Sequence, residues 1–404
     1  MLNWLETFST FCFLDNHQYN YLPHQYDCLV AAGIETFIEG ENLDLLETFI
    51  ADKPWVFGHL GYHLSAAIHQ LAFKKDKVGF APYYFFAPSV VLEIEKNTVR
   101  IEAEDPENIF TTICQTAIVK PGKGNMITVQ PVLDKKNYVK KIKALQQHIL
   151  RGDCYEINFC QEFFATAAQL NPFTTYQNLA AVSPNPFSAF YRVRDQFLLC
   201  ASPERFITKQ GGRIFSQPMK GTAKRDLLNE KRDEELKGQL KNSPKDQAEN
   251  VMVVDLVRND LTRICEAASV QVDELFGVYS YPQVHQMVST ISGQLAPPYS
   301  FSHIIKATFP MGSMTGAPKR RVMQLIEQYE PSARGIFSGA VGYINPAKDF
   351  DFNVVIRSIM YNSATRYLSY QVGSGITFYS QPEQEWEECL LKASAIKQVL
   401  EEAG

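Results

Sequence analysis

The chain has 404 residues, 45% of them hydrophobic and 21% charged, with a formal net charge of −5. That is ample material for a large buried core, and it excludes the broad basic surface that nucleic-acid phosphates require. No apolar run reaches the ~18 residues of a membrane span, so neither nucleic acid nor membrane is expected as a partner.

The eight cysteines (Cys12, Cys28, Cys114, Cys154, Cys160, Cys200, Cys265 and Cys389) form no CxxC pair, so zinc and dithiol redox spacings are absent. Most lie in apolar runs, as free thiols of a cytoplasmic protein do. The opening stretch "MLNWLETFSTFCFLDN" carries acids where a secretory leader has bases.

In chain order, the first ~120 residues are aromatic-rich with short alternating runs. "TFIEG" reads as a strand, and "SVVLEIEKNTVRIEAE" as two antiparallel strands about a turn at Lys96-Asn97. "KPGKGN", residues 120–125, reads as a linker. It divides an N-terminal β-rich subdomain, 1–125, from a region 126–404, both expected to belong to one intertwined fold.

Next, "KKNYVKKIKALQQHILRGD" sets Tyr138, Ile142, Leu145, Ile149 and Leu150 on one helical face, with Gly152 as its stop. "CYEINFCQEFFAT" then alternates as a strand with one apolar and one partly polar face. "FSAFYRV", "QFLLCAS", "ARGIFSGAVGYI", "FNVVIRSIMY" and "YLSYQVGSGIT" read as further strands. They come in adjacent groups rather than alternating with helices, which indicates an α+β fold with mainly antiparallel sheets.

Three helices complete the reading. One starts at Ser243-Pro244 and carries "KDQAENVMVVDLVRNDLTRI". A second follows Gly316, with Val322, Leu325, Ile326 and Tyr329 buried. The third has Ser380 and Glu383 as a capping box and Leu390, Ala393, Ile396 and Leu400 toward the core.

Several groups bear chemistry, each with an ordinary alternative. Asp246 with Glu249, and Glu385 with Glu388, are three apart on their helices. Acids in first helical turns favour the dipole without further role. Two such acidic faces brought together would need a cation between them, and oxygen-only ligands suit magnesium. "PMGSMTGAPKR", containing Thr315, and "VGSGIT", containing Gly373, Ser374 and Gly375, can present backbone N–H groups to an anion or merely form tight turns. Neither has Walker spacing. Arg357, flanked by apolar residues, either ends at a strand edge or binds a carboxylate. His285 reads as a satisfied sheet histidine. Lys220, in "QPMKGTAKR", reads by itself as a solvated lysine. A nucleophilic lysine would need burial or nearby cations, such as Lys224, Arg225 or a metal, to stay neutral.

Taken together, "GDCYEINFCQ", "SPERF", "QPMKGT", "KDQAENVMVVDLVRNDL", "YPQVHQMVSTISG", "FPMGSMTGAPK", "FSGAVGYI", "FNVVIRS", "GSGIT" and "EWEE" stand in unbroken order and resemble the chorismate-using enzymes. The resemblance covers roughly residues 130–400. It implies a sandwich of two large antiparallel sheets with helices outside, to which the N-terminal part contributes strands. Anthranilate synthases resemble "PIAGT" where this chain has "PMKGT". The lysine branch of the family makes 4-amino-4-deoxychorismate, on the route to p-aminobenzoate and folate. Isochorismate and salicylate synthases carry a lysine base where this chain has Glu156, so activation of water by a lysine there is not available.

The resemblance implies that chorismate and ammonia react through a covalent adduct on Lys220, with Glu204 as general acid. It implies Glu249 and Glu385 as ligands of Mg2+, and Thr222, His285, Thr315, Arg357, Gly373, Ser374 and Gly375 along the substrate. Ammonia would come from a separate glutamine amidotransferase subunit, since the GxCxGxQ-like nucleophile stretch is absent. Glu156, where relatives often have glutamine, is expected near the ammonia path or paired with Lys220 or Lys224. "SPNPFSAFY" resembles half of a pocket in which relatives hold tryptophan, whereas "CFLDN" departs from its other half. The competing expectations are an anthranilate synthase component I and a non-catalytic chorismate-binding subunit.

Overall fold

The computed structural model describes residues 1–19, 23, 26–72, 74–117, 126–282 and 284–401; the linker expected at 120–125 lies outside them. Among the described residues, one sheet has 11 strands and the other 10. Every strand pairing is antiparallel. This is the α+β sandwich expected. Strands Thr10–Asp15, Cys28–Ala32, Val90–Glu95 and Thr98–Glu102 extend the larger sheet, while Thr36–Gly40, Val56–Leu60 and Tyr83–Ala87 extend the smaller. The N-terminal residues thus feed both layers.

The core follows the two-residue period of a strand. In the larger sheet, Phe11, Phe13, Phe159, Phe163, Phe190 and Leu199 pack under the helices with Tyr138, Ile142, Leu179, Val322 and Trp386. The intervening Cys12, Cys160, Tyr191, Leu198 and Cys200 join the smaller sheet's Phe57, Phe85, Ile291 and Phe352. Cysteines here serve as small hydrophobes, and all eight are free.

Two crossings between the sheets matter most for the site. The chain leaves the larger sheet at the end of strand Gln196–Ser202 and enters the smaller with Arg205–Gln210, so Glu204 lies on the link. It returns between Phe350–Asn353 and Ser358–Asn362, which places Val354–Arg357 on the second link. The links are tied together: Val354 N donates to Glu204 O at 3.0 Å, and Ala201 N donates to Arg357 O at 3.2 Å.

"FNVVIRSIMY" is therefore not the single strand expected. Changing layers requires a bend, and Arg357 supplies one at φ 51°. Other expectations shift for local reasons. "ARGIFSGAVGYI" becomes a strand only at Ala340–Ile344. The first long helix, Lys135–Leu150, buries Tyr138, Ile142 and Leu145, but its last turn emerges and leaves Leu150 exposed. The C-terminal helix breaks at Ala393 into Pro382–Lys392 and Ser394–Glu401. Its cap position is Gln381; the Ser380 hydroxyl instead accepts from Thr377 N at 3.1 Å and closes the preceding turn. Helix Pro244–Thr262 begins as expected, with the Ser243 hydroxyl accepting from Asp246 N.

Candidate active site

Strand Met219–Lys224 pairs with Val284–Gln294 through a register shift: Met219 opposes Val288, but Thr222 opposes Gln286. One extra residue on the lysine strand makes a bulge, a common device for re-aiming a side chain. Gly221 makes it possible. Its φ of 90° lies in the left-handed region, and a Cβ there would come 2.9 Å from Asp246 Cβ on the Pro244–Thr262 helix.

The bulge sends Lys220 inward, not into solvent. Its Nζ donates to Glu156 Oε1 at 2.5 Å, across the gap to strand Glu156–Ala165 of the other sheet. The two side chains are 10% and 3% exposed. Gly375, on strand Tyr367–Ile376, backs this pair: a Cβ there would stand 2.5 Å from Nζ and 2.6 Å from Oε1. Burial alone would favour the neutral amine. The carboxylates of Glu156, Glu249 and Glu388 outweigh it and push the Lys220 pKa up. Nearby cations were the expected influence, but Arg225 is spent on Asp233, at 2.7 and 3.0 Å, and Lys224 is exposed.

Glu204 is 4% exposed, and burial raises its carboxyl pKa to about 7 despite the opposing pull of Ser313, Lys220, the Met219 backbone and Arg357. A carboxyl with a pKa near 7 is about half protonated at neutral pH, the range a general acid needs. Arg357 lies on the second crossing. Among the described residues, its guanidinium has one side-chain hydrogen bond, Nη2 to Gln286 Oε1 at 3.3 Å. A partly buried guanidinium so thinly satisfied has donors left for a carboxylate.

The two expected metal ligands are Glu249, whose side chain is 15% exposed, and Glu385, which is buried. Glu249 pairs with Lys245 at 3.9 Å and also faces the Lys220 ammonium, yet burial outweighs both and raises its pKa to about 7. Glu385 is 4% exposed, and its carboxylate has no ion pair among the described residues. Carboxylate oxygens of this kind suit a hard divalent cation. No three His, Cys, Asp or Glu side chains converge as a ready-made cage among the described residues. The donor set therefore fits an ion that keeps waters and shares an anionic substrate.

The remaining expected residues divide. Gly373 and Gly375 lie within the strand ladder, opposite Cys160 and Asn158, rather than in a terminal turn. Ser374, between them, turns to the other face, toward Tyr138. Thr222 is exposed opposite Gln286. Thr315 is fully buried, and its hydroxyl donates to Met311 O at 3.0 Å, which staples its own loop.

His285 corrects the expectation of a substrate contact. Its Nε2 meets Asp233 Oδ1 at 3.0 Å, and its Nδ1 meets Ser280 Oγ at 2.9 Å, on the face away from the cleft. The next residue, Gln286, faces inward, bonded to Arg357 and, through Nε2, to Gly221 O at 3.2 Å. Strict alternation along "VHQMV" carried this distinction. Glu330 and Arg334 also escaped notice. Arg334 pairs with Glu330 at 2.6 Å and donates to Met314 O and Asn158 O, clamping the Thr315 loop onto the Glu156 strand. "CFLDN" and "SPNPFSAFY" meet around a cavity of about 60 Å³ lined by Leu14, Asn16, Pro186 and Phe187.

This two-sheet sandwich brings a lysine, a protonatable glutamate and an arginine to the junction of its sheets, and the chain belongs to the chorismate binding enzymes. The model of that family matches residues 24–398. Aminodeoxychorismate synthase of Streptomyces griseus is 40% identical over 398 residues, covering 93% of this chain and 54% of that protein. Aminodeoxychorismate synthase component 1 of Escherichia coli is 35% identical over 315 residues, covering 78% and 69%. An anthranilate synthase component I-like protein of Synechocystis is 34% identical over 352 residues, covering 85% and 72%. In fold, the chain is similar to anthranilate synthase component I of Streptococcus pneumoniae (TM-score 0.82, 24% identity, 94% of this chain and 93% of that one). No helix among the described residues is long and apolar enough to cross a membrane.

Proposed function

We propose that this chain is the chorismate-aminating component of an aminodeoxychorismate synthase, converting chorismate and ammonia to 4-amino-4-deoxychorismate and water. The carrying observation is Lys220: a buried lysine thrust into the cleft by a bulge, beside a carboxyl poised to donate a proton. The names of the relatives support the same reaction.

In this reading the Lys220 amine bonds to ring C2, the ring double bond shifts, and the C4–O bond breaks. Glu204 protonates the departing hydroxyl, which leaves as water. Ammonia adds at C4, the double bond shifts back, and the lysine departs as an amine. Glu204 recovers its proton from the new C4 ammonium. Hydroxide is a poor leaving group, so two assisted displacements are easier than one. Arg357 and the strand backbone at Gly373–Gly375 hold substrate carboxylate, with Gln286 fixing the guanidinium. Thr222, exposed opposite Gln286, would meet the substrate from the solvent side, and Thr315 would act by holding its loop.

Glu249 and Glu385 would hold Mg2+, which when bound supplies a positive charge for the ring carboxylate. Ammonia would be delivered by a separate glutamine amidotransferase subunit in the cytoplasm.

The test is direct. Incubate the chain with chorismate, Mg2+ and ammonium at mildly alkaline pH, and identify products by mass spectrometry. Aminodeoxychorismate is expected, with none when Mg2+ is chelated. Anthranilate with pyruvate as the sole products would overturn the reading, and Lys220→Ala with undiminished amination would remove the covalent step.

A further inference from the structure

We propose that Glu156 is the catalytic base of the lysine step: it takes the proton from the Lys220 ammonium to release the attacking amine, and returns it when the amine leaves. This rests on the covalent reading above and extends it to a residue that reading leaves without a role.

Three observations carry it. Glu156 Oε1 is in direct contact with the reacting nitrogen, at 2.5 Å. The side chain is almost wholly buried, and its second oxygen, Oε2, has no hydrogen-bond partner among the described residues. A carboxylate oxygen without a donor is an open acceptor position beside the reacting nitrogen. Finally, Gly375 leaves room at the contact for nothing larger than hydrogen, so the pair is pressed against backbone with no space for water between them. An ammonium has no lone pair and cannot attack. Among the described residues, Glu156 is the one acceptor hydrogen-bonded to it.

The protons balance. One leaves Nζ for Glu156 as the Nζ lone pair forms the bond to C2. The C4–O electron pair leaves with the hydroxyl, protonated by Glu204. When ammonia displaces the lysine, the freed amine recovers its proton from Glu156. The other charged groups facing Nζ are Glu249 from the Pro244–Thr262 helix, Glu388 from Pro382–Lys392 and Glu204 from the first crossing. They are placed on other tasks or further from the nitrogen, and they disfavour the amine until neutralised. Glu388, for one, is tied to Lys392 at 2.7 Å.

The experiment follows the adduct alone. The full chain is mixed with chorismate and Mg2+ without ammonia, and the rate of chorismate attachment is read by intact mass across pH 6–9. Wild type, Glu156→Gln and Glu156→Asp are compared, with Lys220→Ala as control. The Gln variant is expected to attach chorismate about 10²-fold more slowly near pH 7, with unchanged chorismate binding, and to recover as bulk base takes over at high pH. The Asp variant, which keeps the carboxylate but draws it back, should lie between and covers the case of a Gln variant that misfolds. A purely structural defect would not recover with pH. A Gln variant as fast as wild type, or faster with its profile moved to lower pH, overturns the proposal; the latter would mean that Glu156 only holds the lysine charged. If wild type itself forms no Lys220 adduct, the covalent reading falls, and that outcome is distinct from the others.

Discussion

Replacing Gly375 with alanine tests whether the lysine–glutamate contact is what the cleft is built around. The added methyl would stand 2.5 Å from Lys220 Nζ and 2.6 Å from Glu156 Oε1. Ordinary carbon contacts need roughly 3.5 Å, so the pair must withdraw by about 1 Å. Gly375 is not in the left-handed region, and the obstructing atoms are side-chain ends. The fold should therefore lose less than about 1 kcal/mol, offset in part by the lower unfolded-state entropy of alanine. The chemistry has no such tolerance. Misplacing a reacting atom by about 1 Å reduces rates roughly 10²-fold, or about 2.7 kcal/mol of barrier. The assay is kcat/KM for amination with ammonium and Mg2+, alongside a urea melt. A Gly375→Ala enzyme within threefold of wild type would refute the argument. Gly373→Ala is the contrast: its Cβ would meet the Phe159 carbonyl at 2.7 Å, so it should lose about 1–3 kcal/mol of stability through backbone strain.

Further expectations concern other parts of the site. Glu204→Gln should slow amination by 10²–10⁴-fold. Because burial raises the folded-state pKa of Glu204 to about 7, the native state binds the extra proton between pH ~4.5 and ~7. Metal-free stability should fall across that interval by up to about 3 kcal/mol, and the Gln variant should lack this share of the fall in denaturant midpoints. His285→Ala should lower stability by about 1 kcal/mol through the buried hydrogen bonds it loses to Asp233 and Ser280 yet leave kcat near wild type, whereas Gln286→Leu should raise the KM for chorismate. Equal kinetic effects from both would contradict the assigned strand faces. Arg334→Met should destabilise by roughly 3–5 kcal/mol by stranding Glu330, and adding Glu330→Leu should restore much of it in the same melt.

What was legible in the sequence was mostly what repeats along it. Strand and helix periodicity gave the α+β class, and the Ser243-Pro244 start was visible because a cap is a local device. The sheet crossings were not visible, since "FNVVIRSIMY" has the composition of one strand and only tertiary packing divides it. Lys220 illustrates the same limit. Nothing within "QPMKGTAKR" tells a solvated lysine from a buried one; the bulge depends on a partner strand some sixty residues on. Its electrostatics were misjudged for that reason: the cations adjacent in sequence turn elsewhere, and the carboxylates that surround Lys220 come from distant elements. His285 was singled out for its chemistry, when the parity of its strand pointed to the glutamine beside it. Arg334 carries no motif at all, and only its four buried hydrogen-bond partners reveal it.

The two crossings divide the cleft mechanically. Glu204 and Arg357 ride on short links, covalently continuous with both sheets and hydrogen-bonded to each other. Their backbones are therefore held in place from both layers at once. Lys220 instead hangs from an outer strand of the smaller sheet, on a long side chain, facing a glutamate of the opposite layer. Half of the cleft is thus a rigid gauge and half an adjustable jaw. Substitutions in the jaw can change which atom is delivered to the ring while the gauge goes on measuring the same substrate.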